Sequence, residues 1–182
     1  MSAAMTRMTT QVLGAFLLGV VATTPVAAAQ TTAPTAAAQP TPPAMTPAEI
    51  HAFLTRPLVA RLATVRPNGA PQVFPMWFLF QDGVFYMSTR TQAAKLGHIR
   101  RNPRVAVVID EMVAPLKNKV ITVDGRAEIV TTGVKEITTQ IYQKYMGAEA
   151  ASNPVAQKSI NTPRVLIKIT PKKYRTIDTT KR

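Results

Sequence analysis

Cysteine is absent from the 182-residue chain, so no disulfide framework, thiol nucleophile or thiolate metal site is available. Histidine is almost absent as well. His51 and His98 are the only two, too few for a multi-histidine metal centre. Acidic residues are scarce, 9 Asp and Glu against 22 Lys and Arg, for a formal charge of +13 at neutral pH. That balance speaks to anionic partners and leaves the fold undecided. No catalytic triad, carboxylate pair or internal repeat is visible. The lack of a zinc-finger, RNP or helix-turn-helix pattern argues against a nucleic-acid partner. What is present is a composition 46% hydrophobic and 17% charged, which excludes a wholly disordered chain and suits one ordinary domain with appendages.

The appendages are N-terminal. Val12 to Ala22 (VLGAFLLGVVA) is an apolar run of signal-peptide length, short of the roughly 20 residues that span a bilayer. It follows a segment whose only charge is Arg7 and precedes Ala27-Ala28-Ala29-Gln30, an A-x-A-type cleavage site. Residues 1–29 therefore read as an export signal cut after Ala29, giving a periplasmic or secreted protein with no stable membrane anchor after cleavage. A retained anchor, or a start codon assigned too early on a cytoplasmic protein, is the alternative. No Cys marks a lipoprotein and no twin-arginine pair precedes the run. Residues 30–45 are rich in Ala, Thr and Pro and carry no charge, the composition of an extended tether. The folded domain is expected over 46–182.

Thr46-Pro47-Ala48-Glu49 predicts a helix start, with Thr46 as N-cap, Pro47 at N1 and Glu49 at N3 of a capping box. Ile50, Phe53 and Leu54 share one side of that helix, which must stop before Pro57. Val59 to Arg66 predicts a strand ended by the turn Pro67-Asn68-Gly69. Gln72 to Phe80 predicts a second, whose Pro75 requires an edge position or a bulge. Gln81-Asp82-Gly83 closes a hairpin to Val84–Met87. Ala93 to Arg101 is a brief helix, stopped by Asn102-Pro103. The continuous apolar run Val105 to Ile109 predicts a strand buried on both faces. Val120 to Val130 is another strand, with a bulge at Gly125. Val134, Ile137, Ile141 and Tyr145 recur at helical spacing, and Gly147 ends that helix. Val165, Ile167 and Ile169 alternate with Leu166, Lys168 and Thr170 in a last strand running towards Ile177. The expected fold is mostly β, a small antiparallel, Greek-key-like barrel of about six strands with short peripheral helices.

Between Asp82 and Asp110 there is no acid, but there are Arg90, Lys95, Arg100, Arg101 and Arg104. Ser88-Thr89-Arg90-Thr91-Gln92 leads into the short helix, so hydroxyls and backbone N–H groups lie near a helix N-terminus, with Lys95 one turn in. This is the layout of an anion site; a solvated basic helix face is the alternative. Trp77 and Phe78 are candidates either for stacking on a planar ligand or for barrel core. His98 is a candidate hydrogen-bond donor to a phosphate or ring oxygen, or else a solvated side chain; His51 is structural, and Tyr145 packs.

Ala60-Arg61-Leu62-Ala63-Thr64-Val65, Asn68-Gly69-Ala70-Pro71 and Val73-Phe74-Pro75-Met76-Trp77-Phe78 resemble the opening of the pyridoxamine 5′-phosphate oxidase-like superfamily of split barrels. Val84-Phe85-Tyr86, Ser88-Thr89, Lys95, Ile99 to Ala106 (IRRNPRVA) and Val123 to Glu128 (VDGRAE) continue the likeness in order and spacing. The resemblance implies a homodimeric split β-barrel holding FMN, or the deazaflavin F420, at the subunit interface. It implies that the strand Met76 to Phe80 lies along the ring system, with Met76, Trp77 and Phe78 as its contacts, and that Ser88, Thr89 and Lys95 take the phosphate. Ala94 stands where the pyridoxamine-phosphate oxidases carry a second basic residue, which places the chain nearer the F420-using branch. The implied activity is hydride transfer between FMN or F420 and a small-molecule redox substrate. An exported, non-catalytic module binding flavin, deazaflavin or haem is the other reading. Cofactor chemistry would account for the missing catalytic side chains, since the protein then supplies slot, orientation and charge.

Overall fold

A computed structural model describes residues 44–181. The expected export signal, and all but the last two residues of the expected tether, lie outside the described residues. The domain's packing reaches slightly before the expected boundary: Met45 is buried in the core and its N–H donates to Thr176 Oγ1 at 2.8 Å.

Thr46 caps α1 (Pro47–Thr55) as predicted: its hydroxyl accepts from Glu49 N–H, and the Glu49 carboxylate accepts from Thr46 N–H. Seven strands follow, β1 (Ala60–Val65), β2 (Pro71–Met76), β3 (Leu79–Gln81), β4 (Val84–Arg90), β5 (Arg104–Ala114), β6 (Lys117–Val130) and β7 (Arg164–Asp178). Helix α2 (Ala94–Arg101) joins β4 to β5. Helices α3 (Val134–Met146), α4 (Glu149–Ser152) and α5 (Pro154–Asn161) lie between β6 and β7.

Every pairing is antiparallel and the strand order is β2-β1-β5-β6-β7-β4-β3. Within it, β5, β6 and β7 are successive neighbours and β4 returns beside β7, a Greek-key arrangement. β2 and β3 are the two outer strands, yet only Trp77 and Phe78 separate them in sequence. Two residues span about 11 Å at most between the flanking Cα atoms. The sheet must therefore curl until its two edges meet, and it closes as a barrel with an unbonded seam.

The seam explains the principal differences from the sequence reading. The single strand expected over 72–80 is two strands broken at Trp77–Phe78, which raises the count from about six to seven. Pro75 is accommodated because β2 pairs only with β1 and so has a free edge. The β3–β4 turn places Asp82 at φ 52° and Gly83 at φ 75°, both positive as a two-residue type I′ hairpin requires.

β5 corrects the expectation of a strand buried on both faces. Val105, Val107 and Ile109 point inward and are buried, whereas Ala106 and Val108 are half-exposed. A curled sheet has one interior, and among the described residues no helix fully covers the outer face of β5. The expected irregularity at Gly125 is present: the β6–β7 register slips between Asp124 and Gly125, with Lys172 as the unpaired residue on β7. A Cβ on Gly125 would stand 2.7 Å from Ile169 Cγ2, so the close crossing there demands glycine.

The inner faces of the strands supply Leu62, Phe85, Met87, Val107, Ile109, Ile121, Val123, Ile167 and Ile169, all without exposed surface. Each such side chain contributes about 1.5–3 kcal/mol through burial. α1 adds Phe53 and Leu54 to this core. Helices α4 and α5 were not legible as separate elements; Asn153 caps α5 by accepting from Val155 and Ala156 N–H.

Candidate functional site

Ser88 and Thr89 are consecutive in β4 and so face opposite sides of the sheet. Thr89 points inward, where Lys95 Nζ donates to its Oγ1 at 3.4 Å. Ser88 points outward, where its Oγ is 2.8 Å from Thr138 Oγ1 of α3 and receives a 3.4 Å hydrogen bond from the Arg164 guanidinium. The end of β4 thus carries one hydroxyl on each side. A cleft of about 510 Å³ wraps around that strand end, lined by Met76, Ser88, Thr89, Arg90, Gln92, Ala93, Lys95 and Arg164.

Four of the six residues singled out in the sequence therefore line one cleft: Met76, Ser88, Thr89 and Lys95. Trp77 sits in the barrel seam beside Met76. It is 37% exposed, stacks on Tyr145 with ring centroids 4.5 Å apart, and meets Tyr142 edge-on. Phe78 takes the other reading offered for it, barrel core. None of its surface is exposed, and it packs against Phe85.

The electrostatics of the cleft are one-sided. No carboxylate lines it, while Arg90, Lys95 and Arg164 do. Burial pushes the Lys95 ammonium below its ordinary pKa, and its Nζ lies 4.5 Å from the Phe74 ring centroid, a cation–π contact. Arg164 is held below its ordinary value chiefly by burial, with Arg90 acting in the same direction and Tyr142 opposing. Its Nε donates to Ser159 O at 2.6 Å, and its guanidinium also bonds Ser159 Oγ. Arg90 and Arg164 are direct cross-strand partners in the β4–β7 ladder. Like charges directly opposite one another destabilise a strand pair. Two such guanidiniums beside a half-buried lysine, with no acid among the lining residues, make a site that an anion would relieve. The first turn of α2 borders the same cleft, and no side chain caps its N-terminus.

Arg164 was not singled out from sequence. Its place opposite Arg90 depends on the β4–β7 register, which no local motif encodes; the only signal was a base just after Pro163 at a strand start. Lys144 was also unassigned, and Tyr145 is expected from sequence only to pack, with no partner named. Lys144 Nζ donates to Leu54 O at 2.8 Å and Phe78 O at 3.1 Å, and lies 3.6 Å from the Phe78 ring centroid. Tyr145 donates to Leu58 O at 2.6 Å and accepts from Phe78 N–H at 3.1 Å. Together they clamp the seam to α1 and α3. His98 is neither a phosphate donor nor solvated: it is buried, 2.9 Å from Thr64 Oγ1, and tilted against Phe74. His51 is exposed and meets the Phe80 ring edge-on.

A larger cleft, about 820 Å³, lies on the outer face of β1, β5 and β6 and contains none of the residues singled out in the sequence. It is lined in part by Arg104 and Arg126, a second pair of bases directly opposed across strands.

Comparison with known proteins agrees with this architecture. A search of curated proteins by sequence found no match. Among solved structures, a conserved hypothetical protein of Mycobacterium tuberculosis is 27% identical, covers 75% of this chain and 87% of its own, and superposes with a TM-score of 0.66. A protein described as an F420 reductase is 32% identical over 69% of this chain and 94% of its own, with a TM-score of 0.57. General stress protein 26 of Bacillus anthracis is 27% identical over 70% of this chain and 90% of its own, with a TM-score of 0.53. The family model described as pyridoxamine 5′-phosphate oxidase matches residues 46–178, nearly the whole described domain. With that span matched, and a split barrel closed at the Trp77–Phe78 seam, the chain belongs to the pyridoxamine 5′-phosphate oxidase family.

Proposed function

We propose that the protein is an oxidoreductase that holds FMN or F420 by its phosphate in the cleft at the end of β4. The observation that carries this reading is the direct opposition of Arg90 and Arg164 beside Lys95, with no acid lining the cleft. The residues fit the phosphorylated end of such a cofactor: Lys95, Arg90 and Arg164 supply positive charge, and Ser88 and Thr89 supply hydroxyls. Met76 lies between this cluster and Trp77, so a planar ring extending from the cleft would run along the seam. The likeness to a protein described as an F420 reductase supports the deazaflavin choice. When bound, the cofactor would supply the hydride chemistry, which the cleft's own side chains lack: neither carboxylate nor imidazole lines it.

A homodimer completes the proposal. Val73, Ala63 and Ala106 form an outward row in register across β2, β1 and β5, an apolar strip on a face that no helix among the described residues fully covers. Export by residues 1–29 is part of the same proposal and is checked by sequencing the N-terminus of the mature protein.

Trp77 is the only tryptophan, so intrinsic emission reports on the seam alone. Titration with FMN and with F420 is expected to quench it at micromolar cofactor. Lys95→Ala and Arg164→Gln each remove a charge-assisted contact worth about 1.5–3 kcal/mol, hence about ten- to hundredfold in affinity. Failure of both cofactors to bind, or variants that titrate like the wild type, would overturn the reading. Binding of either cofactor without turnover of any acceptor would favour the non-catalytic carrier.

A further inference from the structure

The tip of the β5–β6 hairpin has no role in the cleft, and its composition is unusual for a protrusion into water. Met112 is 77% exposed, Val113 54% and Leu116 95%, and Ala114 and Pro115 between them are exposed too. The tip extends past the strand ladders on both sides, since β1 pairs with β5 only as far as Ile109 and β7 pairs with β6 from Lys119 onward; beyond them it is tethered by Thr179, whose hydroxyl donates to the Leu116 and Asn118 carbonyls. Pro115 and Leu116 form the two-residue turn, and Leu116 has φ 60°. A positive φ at the second turn position favours glycine or asparagine. Leucine there costs the backbone in any surroundings, and its exposed side chain costs hydration unless the tip meets an apolar medium.

The shape of the patch indicates which medium. A strand end, the irregularity at Val113 and the turn each contribute one large apolar side chain, so the apolar atoms surround a convex tip. A stable protein interface buries about 1,200 Å² or more, which three side chains do not supply. Lipid association needs only a few inserted apolar groups together with positive charge. Charge at this end is favourable. Bases outnumber acids there, Arg56, Arg61, Lys117 and Lys119 against Asp110, Glu111 and Asp178, and Lys117 Nζ donates to the Thr179 carbonyl at 3.3 Å beside the turn. The chain also enters the domain here: the Ala44 carbonyl accepts from Lys181 at 3.1 Å, and Met45 is bonded to Thr176, which pairs with Ile121 near the hairpin base.

We propose that the β5–β6 hairpin tip docks the protein on an anionic lipid surface, with Met112, Val113 and Leu116 entering the boundary between headgroups and acyl chains and Lys117 held at headgroup level. This is a peripheral contact. Among the described residues no helix is long and apolar enough to cross a membrane.

The chain has no cysteine, so Leu116→Cys in the full-length protein carries a polarity-sensitive fluorophore at one site. Asn68→Cys serves as the control, because the β1–β2 turn lies at the opposite end of the β1–β5 ladder. Phosphatidylcholine vesicles containing phosphatidylglycerol are expected to shift the label at residue 116 to the blue and leave that at 68 unchanged. In co-sedimentation, Met112→Ser/Val113→Ser/Leu116→Gly is expected to lower partitioning at least tenfold relative to the unsubstituted full-length chain. The same comparison is made on the chain beginning at Gln30, so that the apolar leader cannot mask a loss at the tip. Leu116→Gly suits the positive φ and is expected to leave the melting temperature unchanged or raised, separating loss of docking from loss of fold. An unshifted label at 116, equal partitioning of the triple variant, or a blue shift that appears without lipid as protein concentration rises would overturn the proposal. The last result would mean that the tip meets a second copy.

Discussion

Lys144 provides a test in which protonation, packing and the barrel seam are linked. Its ammonium is buried between α1 and the seam, and none of its contacts is a carboxylate. Burial pushes its pKa from the ordinary 10.5 down to about 8. The native state therefore penalises the charged form, and the unfolded chain does not. Below pH 8 both states are protonated and the penalty is fully present. From pH 8 to 10.5 the unfolded chain binds more protons, so stability rises with pH across that window. The fall in pKa corresponds to about 3 kcal/mol, and screening by the water that reaches part of the side chain reduces this to about 2 kcal/mol. Burial holds the Tyr145 phenol up at about 12, so from pH 10 to 12 the unfolded chain loses its phenolic proton first and stability falls again. The interval from pH 8 to 10 thus isolates the lysine from its neighbour. Urea unfolding of wild type and Lys144→Met across it is expected to show the wild type gaining about 1–2 kcal/mol more than the variant. Identical pH slopes in the two proteins would refute the assignment of a desolvated, unpaired ammonium, whatever the variant's stability at neutral pH.

Three further predictions concern single contacts. Gly125→Ala forces a Cβ to 2.7 Å from the buried Ile169 Cγ2, and is expected to cost about 1–3 kcal/mol by thermal or urea unfolding. Part of that loss should return in an Ile169→Leu background, which removes the branching methyl, and strictly additive effects would contradict the clash. Thr64→Val leaves His98 Nδ1 without its 2.9 Å partner in a buried site, and should cost about 1–3 kcal/mol, read in the same way. Inorganic phosphate should raise the melting temperature of the wild type and have a smaller effect on Arg164→Gln. An equal rise in both would remove Arg164 from the anion site.

Much of the fold was legible because its signals are local. The Thr46 capping box, the Asp82-Gly83 turn and the alternation of Val165, Ile167 and Ile169 each act within a few residues of themselves, and each formed as read. The anion cluster was partly legible for the same reason, since Ser88, Thr89 and Lys95 are close in sequence. Arg164 was not, because it joins that cluster only through strand register, about seventy residues from Lys95 in sequence. The break at Trp77–Phe78 was hidden for a different reason. Aromatic residues favour strands by local preference, and here closure of the barrel overrides that preference. His98 misled in a similar way: its basic neighbours suggested solvent, yet its own face of α2 turns inward towards Thr64.

The unbonded seam has a mechanical consequence. Its two rims are linked covalently through Trp77 and Phe78 but share no ladder hydrogen bonds, so parting them sacrifices none of the sheet's backbone pairing. What resists is a pair of side-chain rivets, Lys144 and Tyr145, gripping Phe78 from α3. The barrel is therefore built to gape along one line while the β5–β6–β7 wall stays rigid. Amide protons on β2 and β3 should trade with deuterium well before those of that wall.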